Sequence, residues 1–268
     1  MLLKFAGVGS AFAPRDFYQT NAVIQEHEDG DALLIDCGSD ARFSLKDLLI
    51  ELDQIAGVYI THLHADHIGG LEWLALNTYF NPMLKRPKLI AIRELMGELW
   101  RNSLRGGLET LQGQLATITT FFDCQPLSPN EPFMWGDIRF QPVQTVHVVS
   151  GFKIQYSYGL LIDTDPDKEE LQRTSPPKTK VFFTGDTQFC PKQIETFYEQ
   201  AGTIFHDCET TEFQSGVHAH FDDLCTLPDD IKARMWLMHY DPNGKVTDAD
   251  ALKAGFRGFV KRGQKFEF

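Results

Sequence analysis

Short apolar, β-branched runs alternate with longer segments whose leucines recur at helical spacing, which predicts a mixed α and β chain. Strands are expected at 2–8, 21–27, 32–37 and 57–61, each bounded by Gly, Asp or Pro. Between the last two lies "FSLKDLLIELDQI" (43–55), a predicted helix carrying Leu45, Leu48, Leu49 and Leu52, with Ser44 able to cap it. A second helix is expected over 69–80, a strand over 88–92, and an apolar helix from 93 to about 104. The leucine pattern of that last segment runs on through Leu108, Leu111 and Leu115, so the stretch 93–115 is a candidate to cap a pocket or join two subunits. Further strands are predicted at 117–123, 137–147, 152–163, 180–186, 202–208 and 234–240, with helices between the later ones. The phenylalanine pairs at 121 and 182, with Trp100, Trp135 and Trp236, read as core or interface packing. The charged, Pro-rich stretch 163–180 reads as an exposed loop. Two strand-rich halves, each with helices, are expected to place two sheets face to face with helices outside, as one domain over residues 1–268.

Composition narrows the function. The 268 residues are 43% hydrophobic and 12% aromatic, enough for a sizeable core. The formal charge of −12, from 37 acids against 25 bases, opposes capture of long nucleic acid through a general field, though metal ions could still receive small anions. Five cysteines (Cys37, Cys124, Cys190, Cys208 and Cys225) form no CxxC pair, which argues against a disulfide framework and for a cytoplasmic location. The opening "MLLKFAGVGSAFAP" lacks the charged and apolar regions of a secretory leader and reads as a strand followed by a glycine loop. No apolar run approaches the roughly 18–20 residues of a membrane helix.

The densest chemistry is in "THLHADHIGG" (61–70), where His62, His64, Asp66 and His67 fall within six residues. His62 and His64 alternate on extended chain and project the same way, while Asp66 and His67 lie at the turn into the next helix. Imidazoles with a carboxylate suit Zn²⁺ and related transition ions rather than an all-oxygen Ca²⁺ or Mg²⁺ cage. The run offers ligands to two neighbouring ions. Three more candidates, His147, Asp186 and His239, each end an apolar strand, where distant parts of the chain can converge.

"THLHADH" resembles the HxHxDH signature of the metallo-β-lactamase superfamily, and Asp36 in "LLIDCG", His147, Asp186 and His239 follow in that family's order, from about residue 3 to 241. The resemblance implies a four-layer αββα sandwich and a two-metal hydrolytic centre. It implies that His62, His64 and His147 hold one ion, that Asp66, His67 and His239 hold the other, and that Asp186 bridges them. Asp36 would steady the histidine loop from behind. The expected cofactor is two divalent ions, Zn²⁺ foremost, with Mn²⁺ and Fe²⁺ sharing the same ligands.

The superfamily spans many substrates, so residues outside the metal shell must discriminate. "FAGVGSAFAP", "DCGSDARFSL" and "ITHLHADHIGGLEWLA" resemble the ribonuclease Z-like branch, which implies phosphodiester cleavage. In "HDCETTEFQSGVHAHFDDL", His206-Asp207 followed by His218 or His220 matches that branch's His-acid pair and assisting histidine. Asp66 and His218 are the expected catalytic residues, with His220 as the alternative acid and Asp207 or Glu209 as the group orienting it. The chain departs from ribonuclease Z in lacking a Gly- and Pro-rich arm and a basic, aromatic-interleaved patch. What remains resembles the cyclic-nucleotide phosphodiesterases of the branch. The expected substrate is a nucleoside 3′,5′-cyclic phosphate or a similar small phosphodiester, and the partner, if any, a second copy of the chain, since branch members are commonly dimers. The alternatives are a transfer-RNA 3′-end endonuclease, a lactonase or thioesterase, and a metal-dependent binding module.

Overall fold

The computed structural model describes residues 1–28, 30–166 and 180–268. All but the two ends of the stretch read as a loop over 163–180 therefore lies outside the described residues. A seven-stranded sheet runs in the order Lys265–Glu267, Leu2–Gly7, Asn21–Gln25, Ala32–Ile35, Ile55–Tyr59, Lys88–Ile92 and Asp123–Leu127. Its last four strands are mutually parallel. A six-stranded sheet runs Met235–Met238, Thr203–Asp207, Lys180–Phe183, Ile154–Asp163, Ile138–Val149 and Phe133–Trp135.

Strand alternation explains the layers. Leu33 and Ile35 belong to the core between the sheets, whereas Leu34 faces the helices outside. Aromatic rings tie sheet to sheet: Phe5 lies 5.1 Å from Phe205 and 6.2 Å from Phe183, and Tyr59 stacks on Phe133 at 5.6 Å. On the first sheet's outer face, Val58, Leu89 and Ala91 pack with Leu45, Leu71, Leu74, Leu99 and Phe121 of the helical segments. Helix Pro191–Gln200 contributes Ile194 and Tyr198 to the other core. The architecture is thus the expected αββα sandwich.

Three local expectations are corrected. The helix predicted over 43–55 occupies Ala41–Asp47 and stops. Leu49 takes a positive φ of 59°, Leu49 N–H donates to Lys46 O, and Ile50 N–H donates to Leu45 O, a helix-ending arrangement with leucine where glycine is usual. It turns the chain so that Ile55–Tyr59 can start as a parallel strand. Leu49, part of the apparent stripe, is 82% exposed. The helix predicted from 93 onward runs Arg93–Leu99, widens into a π turn over Trp100–Leu104 and closes with Arg105–Leu108. Beyond it, Thr110–Leu111 and Gln114–Leu115 form a small hairpin around Gly113 at φ 82°. Leu99, Leu104 and Leu108 are buried in the chain's own core, so that face is spent internally. The strand predicted at 117–123 is displaced: Thr117 and Thr120 cap one another's backbone and fold Ile118–Phe121 into a helical turn. The strand forms after it, where Asp123–Leu127 pairs with Lys88–Ile92.

Among the described residues, no helix is long and apolar enough to cross a membrane.

Candidate metal centre

Tyr59 ends a buried parallel strand, and the chain beyond it is held by one carboxylate. Thr61 N–H donates to Asp36 Oδ1 at 2.8 Å, Thr61 Oγ1–H donates to Asp36 Oδ2 at 2.7 Å, and His67 Nδ1 lies 2.7 Å from the same oxygen. Asp36 is itself in the left-handed region, with φ of 65°. Aspartate tolerates that conformation better than most residues, and here it aims both oxygens at the histidine loop. His239 also has positive φ, at 60°, and Gly185 at 61° precedes Asp186. A Cβ at 185 would lie 2.8 Å from Ser157 Oγ, so the turn delivering Asp186 needs glycine twice over.

These elements bring the seven candidate ligands together. His62, His64, His147 and Asp186 form one group and Asp66, His67, Asp186 and His239 another, each with ligand atoms within 4.8 Å of one another. Asp186 is common to both. Its Oδ2 lies 3.3 Å from His67 Nε2, 3.4 Å from His239 Nε2, and 3.7 Å from both His62 Nε2 and His147 Nε2. His64 turns its Nδ1 inward, 3.0 Å from both His62 Nε2 and His147 Nε2.

The donor set fits divalent metal ions. Asp186 Oδ2 and His67 Nε2 are buried without a hydrogen bond among the described residues, although such atoms normally find one. Burial pulls the His62, His64 and His147 imidazoles below the ordinary histidine range, which keeps them neutral with lone pairs free for a metal. Burial alone would raise Asp186, but the imidazoles of His239, His67 and His62 hold it well below the usual carboxylate range. The same proximity acts in reverse on His239: burial would lower it, yet Asp186, Asp207 and Asp66 hold it up to about 10. His67 is raised likewise, by Asp186, Asp36 and Asp66 against burial. The histidines nearest the carboxylates therefore hold protons that a metal must displace.

Behind the cluster, the second nitrogens are occupied. His147 Nδ1–H donates to Val217 O at 2.8 Å. The Gln155 side-chain amide lies 3.1 Å from His64 Nε2. Neither Gln155 nor Thr61 was singled out from sequence. Thr61 sits directly beside the histidine run, but Gln155 is one polar residue on a long strand with no motif around it.

The acid candidates separate cleanly. His218 lies beside the cluster, its Nδ1 2.8 Å from Asp207 Oδ2 and 3.9 Å from Asp186 Oδ2. Its ring is stacked 4.9 Å from that of His239. Burial would lower its pKa, but Asp207 outweighs burial and raises it. Asp207 Oδ1 also faces His239 Nδ1 at 3.4 Å, long for a hydrogen bond. His220 belongs to none of these groups: its Nε2 meets Thr211 O at 3.0 Å, and its Nδ1 accepts from Asp222 N–H at the start of helix Phe221–Leu224. Capping therefore claims His220. Glu209, considered as an orienting carboxylate, accepts instead from Ser215 N–H at 2.9 Å. His206 is turned away from the cluster, its Nε2 2.6 Å from Tyr198 Oη.

The family described as "Anti-Pycsar protein Apyc1" matches residues 1–266, nearly the whole chain. The chain belongs to this family. The Anti-Pycsar protein Apyc1 of Paenibacillus harenae is 32% identical to it, over 100% of both chains. Among solved structures, the metallo-β-lactamase fold protein YhfI from Bacillus subtilis superposes with a TM-score of 0.69 at 16% identity, over 99% of this chain and 98% of that one. A diphosphatase of the PhnP family superposes with a TM-score of 0.73 at 17% identity, over 100% and 96%. At such identities the likeness speaks to the fold, which is that of the metallo-β-lactamases. The metallo-β-lactamase fold implied by the sequence resemblance is thus the fold observed, while the family is Apyc1.

Proposed function

We propose that this Apyc1-family protein is a metal-dependent phosphodiesterase acting on a small phosphodiester, with a nucleoside 3′,5′-cyclic phosphate as the favoured substrate. The observation that carries this reading is His218, a histidine outside the two groups that share Asp186, whose Nδ1 lies 2.8 Å from Asp207 Oδ2 and whose pKa that carboxylate raises. With Nδ1–H donating to Asp207, the proton on Nε2 is the one free to leave. An alkoxide expelled from phosphorus needs such a proton. His62, His64 and His147 would hold one divalent ion, Asp66, His67 and His239 a second, and Asp186 would be shared, with Asp36 fixing the loop between them. Ions bound there lower the pKa of water towards ~7 and offset charge on phosphoryl oxygens. The chain itself excludes bulk water from the buried ligands, orients them through Asp36, Gln155 and Asp207, and supplies the proton at His218.

The acidic balance, −12 overall, supports a small substrate over a long polyanion. Residues 1–268 are read as one domain, because the core between the sheets draws on both ends of the sequence. The test is a screen of purified, metal-analysed protein against cyclic AMP, cyclic GMP, precursor transfer RNA and a lactone panel. Lactone turnover without phosphodiester cleavage overturns the reading. In the same assay His218→Ala should lose about 10²–10⁴ in kcat on cyclic AMP, the usual worth of a positioned acid. It should lose far less on bis(p-nitrophenyl) phosphate, whose leaving group departs without a proton.

A further inference from the structure

The opening glycine loop and the carboxylate of Glu209 remain unused by the chemistry above. Both line one cavity of about 210 Å³ that also has His218 and His239 in its wall. Gly9 lets the loop fold back on itself: a Cβ there would meet Ala13 Cβ at 2.3 Å. Ser10 N–H donates to Tyr240 O at 3.1 Å, docking the loop beside His239, and Ala13 N–H donates to Ser10 O at 3.0 Å, closing a turn over 10–13. Phe12 stands at the tip of that turn, 93% exposed and on the rim of the cavity. Its ring gives the loop side of the cavity an apolar, aromatic surface across from His218 and His239, of the kind on which a nucleobase can stack.

Glu209 follows Asp207 by two residues in the wall. Ser215 N–H fixes its Oε2, and its Oε1 carries no hydrogen bond among the described residues. Thr211 and Ser215, also in the wall, are committed locally: Thr211 Oγ1–H donates to Phe213 O, and Ser215 Oγ accepts from Val217 N–H. The cavity therefore has a histidine end for an anion and a carboxylate that repels one. A carboxylate accepts hydrogen bonds and cannot donate them, so the group it receives is a hydroxyl or an N–H. Carboxylates bind ribose 2′-hydroxyls in this way in dinucleotide sites. In a 3′,5′-cyclic phosphate the 2′-hydroxyl adjoins the phosphate, so a carboxylate in the same cavity wall as His218 and His239 is placed to meet it. The cavity is smaller than the roughly 300–1,000 Å³ of pockets that enclose whole drug-sized ligands, which suits one nucleoside with part of its base outside.

We infer that the cavity between the 10–13 turn and Glu209 is a nucleoside subsite, in which Glu209 accepts the ribose 2′-hydroxyl and Phe12 covers the base. The inference rests on the phosphodiesterase reading. It is tested by kcat and KM for cyclic AMP, 2′-deoxy cyclic AMP and bis(p-nitrophenyl) phosphate, in wild type, Phe12→Ala, Phe12→Tyr, Glu209→Ala and Glu209→Gln of equal metal content. Wild type should prefer the ribo over the deoxyribo substrate by about tenfold or more, as expected for a hydrogen bond to a charged group. Glu209→Ala should bring that ratio close to one. Glu209→Gln, which keeps an acceptor for Ser215 N–H, should also lower it and so separates recognition from loop collapse. Phe12→Ala should raise KM for both nucleotides about ten- to one-hundred-fold, the usual worth of base stacking, and Phe12→Tyr should restore it. Wild-type KM and an unchanged ribo-to-deoxyribo ratio in these variants overturn the inference. So does unchanged KM with a light-scattering shift from dimer to monomer in Phe12→Ala, which assigns the ring to a subunit contact. Wild-type cleavage of bis(p-nitrophenyl) phosphate with neither nucleotide turned over overturns the substrate reading itself, a result distinct from both.

Discussion

At the scale of single residues, the centre works through paired charges. The candidate ligand imidazoles each have a partner behind them, and Asp207 faces both His239 of that set and the neighbouring His218. That sharing gives a pH prediction with a definite sign. As the proposed acid, His218 would act only while protonated, so the proposed phosphodiester cleavage should hold below its raised pKa and fall as pH rises through it. Asp207 is the cause of the rise, so Asp207→Asn should move that alkaline limb to lower pH, towards the ordinary histidine value of about 6.5. A pH profile of kcat/KM in both proteins, at matched metal content, checks this. An unmoved limb would assign the titration to another group. The clustering of the HxHxDH residues is legible from spacing, because three imidazoles and a carboxylate in six positions leave few other uses. The partners Thr61 and Gln155 are not, since a hydrogen bond to a ring's far side leaves no spacing in the sequence.

At the scale of elements, hydrophobic period was read well where strands are buried and poorly where segments end. The strands at 2–7 and 88–92 follow from short apolar runs with turn residues on both sides. The helix predicted over 43–55 failed because its stripe continues past the residue at which the chain must reverse. The leucines after 93 posed a different problem. A stripe looks the same whether it packs on the chain's own sheet or on a partner, and here Leu99, fully buried, packs inward. Leu99→Ala should then destabilise the fold by about 2–5 kcal/mol, the range for a truncated core leucine. Urea unfolding with an unchanged m-value would show it. A loss under about 1 kcal/mol would return the segment to the role of a surface or subunit contact.

At the scale of the whole molecule, the centre joins the two sheets. Residues 62–67 follow a strand of the first, while His147, Asp186 and His239 come from the second or its strand ends. A ligand that binds only the folded state stabilises it by mass action, by about 2.7 kcal/mol at one hundred times its Kd. Chelation should therefore lower Tm, by about 5–10 °C for a chain of this size. Stripping should become easier as pH falls, because His239 and His67 have raised pKa values and regain their protons as the metal leaves. A melting curve unaffected by chelator, with metal loss verified by analysis, would show that the carboxylates and imidazoles compensate one another without ions.

By itself the sequence determined the candidate ligand types, their order and the alternation of strands and helices, because donor chemistry and hydrophobic period are local properties of the chain. It also determined that Asp36 and the strand-end residues belong with the histidine run, through a resemblance carried by their order. Only the tertiary structure decided that Asp207 rather than Glu209 holds His218, that His220 caps a helix, and that the glycine loop and Glu209 share one cavity. Those outcomes depend on which side chains meet across sheets and loops, and such distances are fixed by packing rather than by separation along the chain.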